Sequence, residues 1–178
     1  MKTDAFHIVP LKPKDALSLN EFMVSNAKRF ERYLPKTLSS NLTVEASESY
    51  ILNKISEFQM RSGFTFAIKE NTTQNIAGLI IIKKLNWETK QAEFAYCIGS
   101  AYAGKGWMTK VVKEISNYAF NELNLKTLQI ISHRTNFGSV KVAESSGFIW
   151  KRTLPNEFTP TNEKPLDMEL YEMSISGN

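Results

Sequence analysis

A change of hydrophobic period in the middle of the chain is the strongest constraint on the fold. Three β-prone runs come first, separated by turn-forming segments: Phe64–Glu70, Ile76–Leu85 and Gln91–Ile98. Apolar residues then recur at three- and four-residue steps, at Met108, Val111, Val112, Ile115, Ala119 and Leu123. A β-prone run, Thr127–Ser132, follows. The pattern predicts an antiparallel meander that leads into a strand–helix–strand crossover.

Upstream of the meander the sequence predicts one strand and two helices. The strand is expected at Phe6–Leu11, and a single amphipathic helix is expected from Pro13, with an apolar face from Leu17 to Leu34. The second helix should begin after Thr43, whose hydroxyl is a suitable N-cap, and stop at Gly63.

Downstream of the crossover the sequence predicts a short helix and two further strands, at residues 136–145, 148–154 and 167–175. The fold class expected is α/β, an α+β mixed sheet of about seven mostly antiparallel strands flanked by about four helices. The 178 residues, 42% hydrophobic and 22% charged, match ordinary globular usage. We therefore expect one domain, residues 1–178.

Composition also bears on location and partners. The longest apolar run, Ile76–Ile82, is far short of the roughly 20 residues that span a bilayer, and the first residues lack a signal-peptide core. We expect no membrane association and a cytoplasmic location. A net charge of +4 without an arginine-rich tract or aromatic RNA-binding motif fits an anionic small cofactor. We expect no nucleic-acid partner, although a basic RNA- or ribosome-associating protein remains an alternative.

The sequence offers little for a metal site or for disulfide chemistry. Cys97 is the single cysteine, and His7 and His133 lie far apart in the sequence, so we expect metal-free chemistry. Cys97 lies in an apolar stretch and is expected to be a small buried hydrophobe rather than a reactive thiol. The oligomeric state stays open, a homodimer included.

A glycine-containing turn between a strand and a helix marks the candidate ligand site. Two glycines, Gly104 and Gly106, remove side chains where a ligand must approach the backbone. The first N–H groups of the helix lack intrahelical acceptors, so main chain between Ala103 and Thr109 can hold a diphosphate. The turn lacks the third glycine of dinucleotide folds and the Gly-Lys-Ser/Thr of P-loops. A tight turn that needs glycine only for positive φ is the structural alternative.

Three short motifs occur in order along the chain. Residues 92–98 read Ala-Glu-Phe-Ala-Tyr-Cys-Ile, residues 101–106 read Ala-Tyr-Ala-Gly-Lys-Gly, and residues 136–143 read Asn-Phe-Gly-Ser-Val-Lys-Val-Ala, with Gly147-Phe148 behind them. Together they resemble the GNAT N-acetyltransferases, especially the ribosomal-protein alanine and serine N-acetyltransferases. The coenzyme A signature of that family, Gln/Arg-x-x-Gly-x-Gly/Ala, is matched at both small positions and missed at its first. The similarity runs in order from Phe6 to Ile175.

The resemblance implies a GNAT-like acyl-CoA N-acyltransferase fold whose sheet splays between strands four and five. The pantetheine arm of acetyl-CoA would lie in the gap and pair with main chain around Tyr96, Cys97 and Ile98. The other cofactor-binding residues it implies are Ala103, Gly104, Lys105, Gly106, Trp107, Met108, Thr109, Asn136, Ser139 and Lys141. The acceptor would be a primary amine, of a protein N-terminus or a small molecule, that attacks the thioester directly without a covalent enzyme intermediate.

The resemblance also implies catalytic roles, each with an alternative. Glu93 is the candidate base, directly or through a water, and the alternative is a surface carboxylate. Ser139 would return a proton to the thiolate, and the alternative is a helix-capping hydroxyl. Lys141 and Lys105 are candidates for the 3′-phosphate, against ordinary solvated lysines.

Two departures from the family pattern bear on function. Relatives can carry a glutamate shortly after the closing Gly-Phe, where this chain has Trp150-Lys151-Arg152, which weakens the case for a ribosomal-protein acceptor. Because the first residue of the signature is not matched, a non-catalytic module that binds or senses coenzyme A stays open as an alternative function.

Overall fold

The computed structural model describes residues 3–175, in which the chain forms seven strands and six α-helices. In chain order these are β1 Phe6–Pro10, α1 Ala16–Ser25, α2 Ala27–Phe30, α3 Pro35–Ser39, α4 Val44–Gln59, β2 Phe64–Glu70, β3 Ile76–Asn86, β4 Gln91–Ile98, α5 Trp107–Asn121, β5 Thr127–Ser132, α6 Phe137–Ser145, β6 Ile149–Phe158 and β7 Leu166–Ser174. No helix within residues 3–175 is long and apolar enough to cross a bilayer.

The seven strands form one mixed sheet in the order β1-β2-β3-β4-β5-β7-β6. The pairs β1–β2, β5–β7 and β6–β7 are antiparallel, whereas β4 and β5 run parallel. A parallel pair needs a crossover connection, and α5 provides it, as the change of period predicts. The β4–β5 register ends at Phe94 opposite Ile130, although β4 continues to Ile98. The pairing therefore ends before β4 does, at the splay that the resemblance implies.

The chain divides into two compact units, and within the described residues the first comprises 3–81 and 96–103. Its core joins the buried faces of α1 and α4 to those of β2 and β3, and Leu19, Met23, Ile51 and Leu79 are fully buried there. One buried ion pair crosses this unit, between the ammonium of Lys69 and the carboxylate of Asp15.

The second unit comprises residues 82–95 and 104–175. The apolar stripe that the sequence predicts for α5 is buried at Met108, Val111, Val112, Ile115 and Ala119, and Leu123, just beyond the end of the helix, is buried as well. Leu128 and Ile130 fill the core from β5, where alternate residues are buried. The rings of Phe94 and Phe148 pack with their centroids 6.1 Å apart.

Most element boundaries agree with the sequence prediction, because local patterns set them. The hydroxyl of Thr43 accepts a hydrogen bond from the N–H of Ala46 at 3.2 Å, which confirms it as the N-cap of α4. The predicted bounds of β2, β4 and β5 are confirmed residue for residue. β6 extends to Phe158, beyond the predicted end at Leu154, with an irregular register between these two residues.

The prediction of one continuous first helix is wrong. The helix stops at Asn26, whose side-chain NH2 donates to the C=O of Phe22 at 2.9 Å and thereby replaces a backbone bond. The chain continues as the short helices α2 and α3, the latter begun by Pro35. The predicted apolar face is also wrong at Leu17, which is 57% exposed, because the buried stripe of α1 runs through neighbouring positions.

Candidate active site

The turn before α5, in the second unit, has the geometry of an anion site. Gly104 and Gly106 have φ values of 76° and 74°, in the left-handed region that favours glycine. The first intrahelical bond is donated by the N–H of Lys110 to the C=O of Gly106 at 3.2 Å, and Gly106, the N-cap residue, has no side chain with which to cap the first turn. The first turn carries no acidic residue. Its main-chain donors and the helix dipole therefore favour an anion.

The space in front of this turn is open. A Cβ atom added to Gly104 or Gly106 would meet no atom of the described residues within 4 Å. The positive φ confirms the conformational need for glycine, and the open space leaves the backbone accessible as well. The hydroxyl of Ser146 donates to the C=O of Thr109 at 3.4 Å, which joins the end of α6 to the first turn of α5. The positive φ thus supports the turn explanation of the glycines, and ligand access stays a prediction with which the open space is compatible.

The start of α6, in the same unit, carries the other predicted cofactor contacts. Asn136 is the N-cap residue of α6, and its half-buried side chain makes no capping hydrogen bond. The N–H of Ser139 donates to the C=O of Asn136 at 2.9 Å, and Ser139 is half-buried. Lys141 is exposed, as are Lys105 and the two glycines of the turn before α5.

Glu93, also in the second unit, is buried and doubly ion-paired. Its side chain is 8% exposed, with Oε1 2.8 Å from Nζ of Lys83 and Oε2 2.8 Å from Nζ of Lys84. The hydrogen bond to Glu93 is the main reason that the pKa of Lys84 is raised. Glu157 lies 3.9 Å from the same ammonium. The interpretation of Glu93 as a surface carboxylate is therefore wrong.

The end of β4, in the first unit, contains Tyr96, Cys97 and Ile98. Cys97 is buried, as predicted, and burial raises the pKa of its thiol to about 12. β3 approaches this strand so closely that a Cβ on Gly78 would lie 2.5 Å from the C=O oxygen of Cys97. The turn that follows is pinned by the N–H of Ala103, which donates to the C=O of Gly99 at 3.0 Å.

The alternation of a strand decides which main-chain groups of β4 face away from β3. The N–H of Gly99 donates to the C=O of Ala77 in β3 at 2.8 Å. Because successive residues direct their N–H and C=O groups to opposite edges, those of Ile98 and Tyr96 point away from β3. The C=O of Ile98 accepts a hydrogen bond from Nε of Arg29 at 3.2 Å.

The sequence prediction missed several residues around these positions. Asn26 accepts a hydrogen bond from the N–H of Ser100 at 2.9 Å, and Arg29 binds Ile98. Ser132 ends β5 with a buried hydroxyl that has no hydrogen-bond partner within residues 3–175. The contacts of Asn26 and Arg29 join residues about 70 positions apart, and no local pattern in the sequence indicates them.

Comparison with known proteins identifies the fold and the family. Residues 6–149 match the model of the acetyltransferase (GNAT) domain. The chain belongs to the GNAT acetyltransferase family. Among solved structures, this GNAT chain resembles the ribosomal-protein alanine acetyltransferase of Vibrio fischeri with a TM-score of 0.91 and 19% identity, over 98% of this chain and 95% of that one. The fold expected from the resemblance is thereby confirmed.

Two curated relatives illustrate the range of acceptors within the GNAT family. YdaF of Bacillus subtilis, whose name describes a candidate ribosomal N-acetyltransferase, is 27% identical over 139 residues, which is 78% of this chain and 75% of YdaF. The spermidine N(1)-acetyltransferase of Escherichia coli is 33% identical over 82 residues, 46% of this chain and 44% of that protein. The prediction that this GNAT chain is an acyltransferase is confirmed, whereas the roles of its individual residues stay predictions.

Proposed function

We propose that this chain transfers the acetyl group of acetyl-CoA to a primary amine by direct attack, with no covalent enzyme intermediate. The observation that supports this proposal most is the turn before α5, where two glycines have positive φ and a Cβ added to either would meet open space. Relatives whose names describe a candidate ribosomal N-acetyltransferase and a spermidine N(1)-acetyltransferase support two acceptor classes, a protein N-terminus and a small amine. We further propose that it acts in the cytoplasm as a single domain, residues 1–178.

The described residues fit acetyl-CoA as the acyl donor in three places. In our proposal the diphosphate binds main chain between Ala103 and Thr109, as anions do at other helix N-termini. The pantetheine amides pair with main-chain groups of Tyr96 and Ile98, which point away from β3, beyond the last registered β4–β5 pair; the C=O of Cys97 faces β3, so the expected pairing with Cys97 is not part of the proposal. The amide of Asn136 and the orphan hydroxyl of Ser132 offer further polar groups, since a buried hydroxyl without a partner costs about 1–3 kcal/mol.

Lysine side chains supply charge for the remaining phosphate. Lys105 and Lys141 are exposed and are proposed to meet the 3′-phosphate, in keeping with the net charge of +4. Exposed ammonium groups contribute little to affinity in salt, so we expect their individual effects to be small.

Glu93 is proposed as the proton acceptor for the attacking amine. Its carboxylate oxygens lie 2.8 Å from the ammonium groups of Lys83 and Lys84, which fix the position of the carboxylate. A carboxylate offers about four lone-pair positions, so two lysines leave room for a bridging water. An α-amino group, with a pKa of about 8, needs only a weak base near neutral pH.

Ser139 is proposed to protonate the leaving group. The amine nitrogen forms the new C–N bond, the C–S bond breaks, and one amine proton passes to Glu93 through water. The hydroxyl of Ser139 gives its proton to the departing thiolate and regains one from solvent. Its half-buried position in the first turn of α6 is compatible with this role.

The experiment that tests the proposal is a thiol-release assay with acetyl-CoA and a panel of peptides, polyamines and amino acids. We expect thiol release only when an amine is supplied. Glu93→Gln and Ser139→Ala should each lower kcat by about a hundredfold, the low end for a positioned acid or base. Glu157→Gln, which changes a carboxylate near the same Lys84, is the matched control and should keep kcat.

The outcome of this assay also decides the alternative function. Calorimetry that shows tight binding of coenzyme A, together with no transfer across the panel, would favour a non-catalytic sensing module. If the Glu93→Gln and Glu157→Gln variants lost the same small fraction of activity, Glu93 would be structural rather than a base.

A further inference from the structure

Arg29 places a cation at the end of β4. Its Nε donates to the C=O of Ile98 at 3.2 Å, while its side chain stays exposed. The two terminal NH2 groups make no hydrogen bond or ion pair with residues 3–175. A guanidinium fixed through Nε presents its remaining donors as a planar fork, which matches the geometry of a carboxylate.

The position of this fork is set by backbone contacts rather than by a flexible loop. Asn26, three residues earlier, accepts from the N–H of Ser100 at 2.9 Å and donates to the C=O of Phe22. The ring of Phe30, the next residue after Arg29, is buried against Phe22 with centroids 5.3 Å apart. The backbone on both sides of Arg29 is therefore anchored.

The fork lies on the edge of β4 that faces away from β3. The C=O of Ile98, to which Arg29 binds, points to that edge, because Gly99 pairs with Ala77 of β3 on the other side. The proposed function places the pantetheine arm along the same edge. The guanidinium therefore lies beside the proposed path of the acyl donor, which the acceptor must approach.

The surrounding segment has an excess of positive charge. Between residues 28 and 36 the chain carries four basic residues and one acidic residue, all exposed: Lys28, Arg29, Arg32 and Lys36, against Glu31. The guanidinium of Arg32 lies over the ring of Tyr33, 5.4 Å from its centroid. Such a segment attracts anionic acceptors and repels polycations.

We propose that the acceptor carries a carboxylate close to its primary amine, and that Arg29 binds this carboxylate. The inference rests on the proposed function and narrows its acceptor class. An acidic peptide N-terminus and a small amino acid share this chemistry, whereas a polyamine such as spermidine lacks it. The chain would thus differ in acceptor from its spermidine-acetylating relative, which it matches over 46% of its length.

The test compares acceptors that differ only in a carboxylate. The first pair consists of two short peptide amides that differ only in having Asp or Asn as the second residue. The second pair consists of 4-aminobutyrate and its amide, and spermidine serves as the polycationic acceptor. We expect the carboxylate member of at least one pair to have a kcat/KM about fivefold higher, the range of an exposed charged pair, and to exceed spermidine. The pair that responds distinguishes a peptide from a small-molecule acceptor.

Variants of Arg29 assign the preference to this residue. Arg29→Gln should reduce the carboxylate-to-amide ratio of kcat/KM to about one, and Arg29→Lys should keep part of it, because the charge remains without the fork. Arg61→Gln is the matched control, since Arg61 is an exposed arginine after the end of α4. The ratio is taken within one variant, so a general loss of folded enzyme cancels.

Two further measurements distinguish carboxylate binding by Arg29 from a merely structural role: the salt dependence of the carboxylate-to-amide ratio and the affinity for coenzyme A. The wild-type ratio should fall toward one near 1 M salt, where the Debye length is about 3 Å. The affinity for coenzyme A, measured by calorimetry, should be the same in wild type and Arg29→Gln.

Several results would overturn the inference. They are a wild-type enzyme that turns over amides or spermidine at least as well as carboxylates, an Arg29→Gln variant that keeps the preference, and a loss of coenzyme A affinity in that variant. No turnover with any amine, or no binding of coenzyme A to wild type, would instead show that the proposed function itself is wrong.

Discussion

Replacing Gly106 by alanine separates the two roles of the turn before α5, backbone conformation and ligand access. Gly106 is the N-cap residue of α5 and has a φ of 74°. An alanine Cβ at this position would meet no protein atom within 4 Å. The cost to the unliganded protein is therefore conformational alone, and any effect on coenzyme A adds to it.

The conformational cost can be estimated from known terms. A left-handed conformation costs a non-glycine residue about 1–2 kcal/mol, and the smaller entropy of the unfolded alanine chain returns about 0.4–1 kcal/mol. The net loss is about 1 kcal/mol, which lowers Tm by about 2–4 °C in a chain of this size. Gly138→Ala is the control, because this glycine lies in α6 without a positive φ. The Gly138→Ala variant should be more stable than wild type by about 0.5–1 kcal/mol.

The effect on the cofactor is predicted to be larger than the effect on stability. A methyl group in front of the turn displaces a diphosphate from at least one main-chain donor, and a hydrogen bond to a charged group contributes about 1.5–3 kcal/mol. The Kd for coenzyme A should rise at least about tenfold, since about 1.4 kcal/mol corresponds to a factor of ten. Gly106→Asn should keep its stability, because asparagine adopts this conformation readily, and should still lose affinity.

Thermal unfolding followed by circular dichroism measures the first effect, and isothermal titration with coenzyme A measures the second. The reasoning would be refuted if Gly106→Ala and Gly106→Asn both bound coenzyme A as tightly as wild type. The glycine would then serve the turn alone, and the diphosphate would bind elsewhere.

Three further predictions concern the first unit. Asp15→Asn should destabilise the protein by about 3–5 kcal/mol in chemical denaturation, because it leaves the buried ammonium of Lys69 without its partner. Glu57→Gln, which breaks a partly exposed pair with Lys54 on one helix, should cost under about 1 kcal/mol, and equal effects of the two variants would contradict this. Gly78→Ala should cost about 1–3 kcal/mol, since its Cβ would lie 2.5 Å from the C=O oxygen of Cys97, and an unchanged Tm would show that the strands separate at little cost. Cys97 should be inert to a thiol reagent at pH 8, because a pKa of about 12 leaves about one thiol in ten thousand ionised. The labelling rate should rise with pH and on unfolding, and fast labelling of the folded protein would show that the thiol is not buried.

Sequence-based prediction succeeded where neighbouring residues decide the outcome. The buried stripe of α5, the N-cap at Thr43 and the bounds of β4 follow from spacing and side-chain chemistry within a few positions. The positive φ at Gly104 and Gly106 belongs to the same class, because a turn between a strand and a helix demands it locally.

The sequence by itself therefore determined the order of elements, the crossover and the glycine turn that indicates a coenzyme A site. Only the tertiary structure decided that the first helix breaks at Asn26, that Glu93 is buried between two lysines, and that Arg29 reaches the end of β4. In the last two cases the position and contacts of a charged side chain depend on partners that the fold brings next to it. Hydrophobic period and turn chemistry are local, whereas charge pairing depends on positions that only the folded chain brings together.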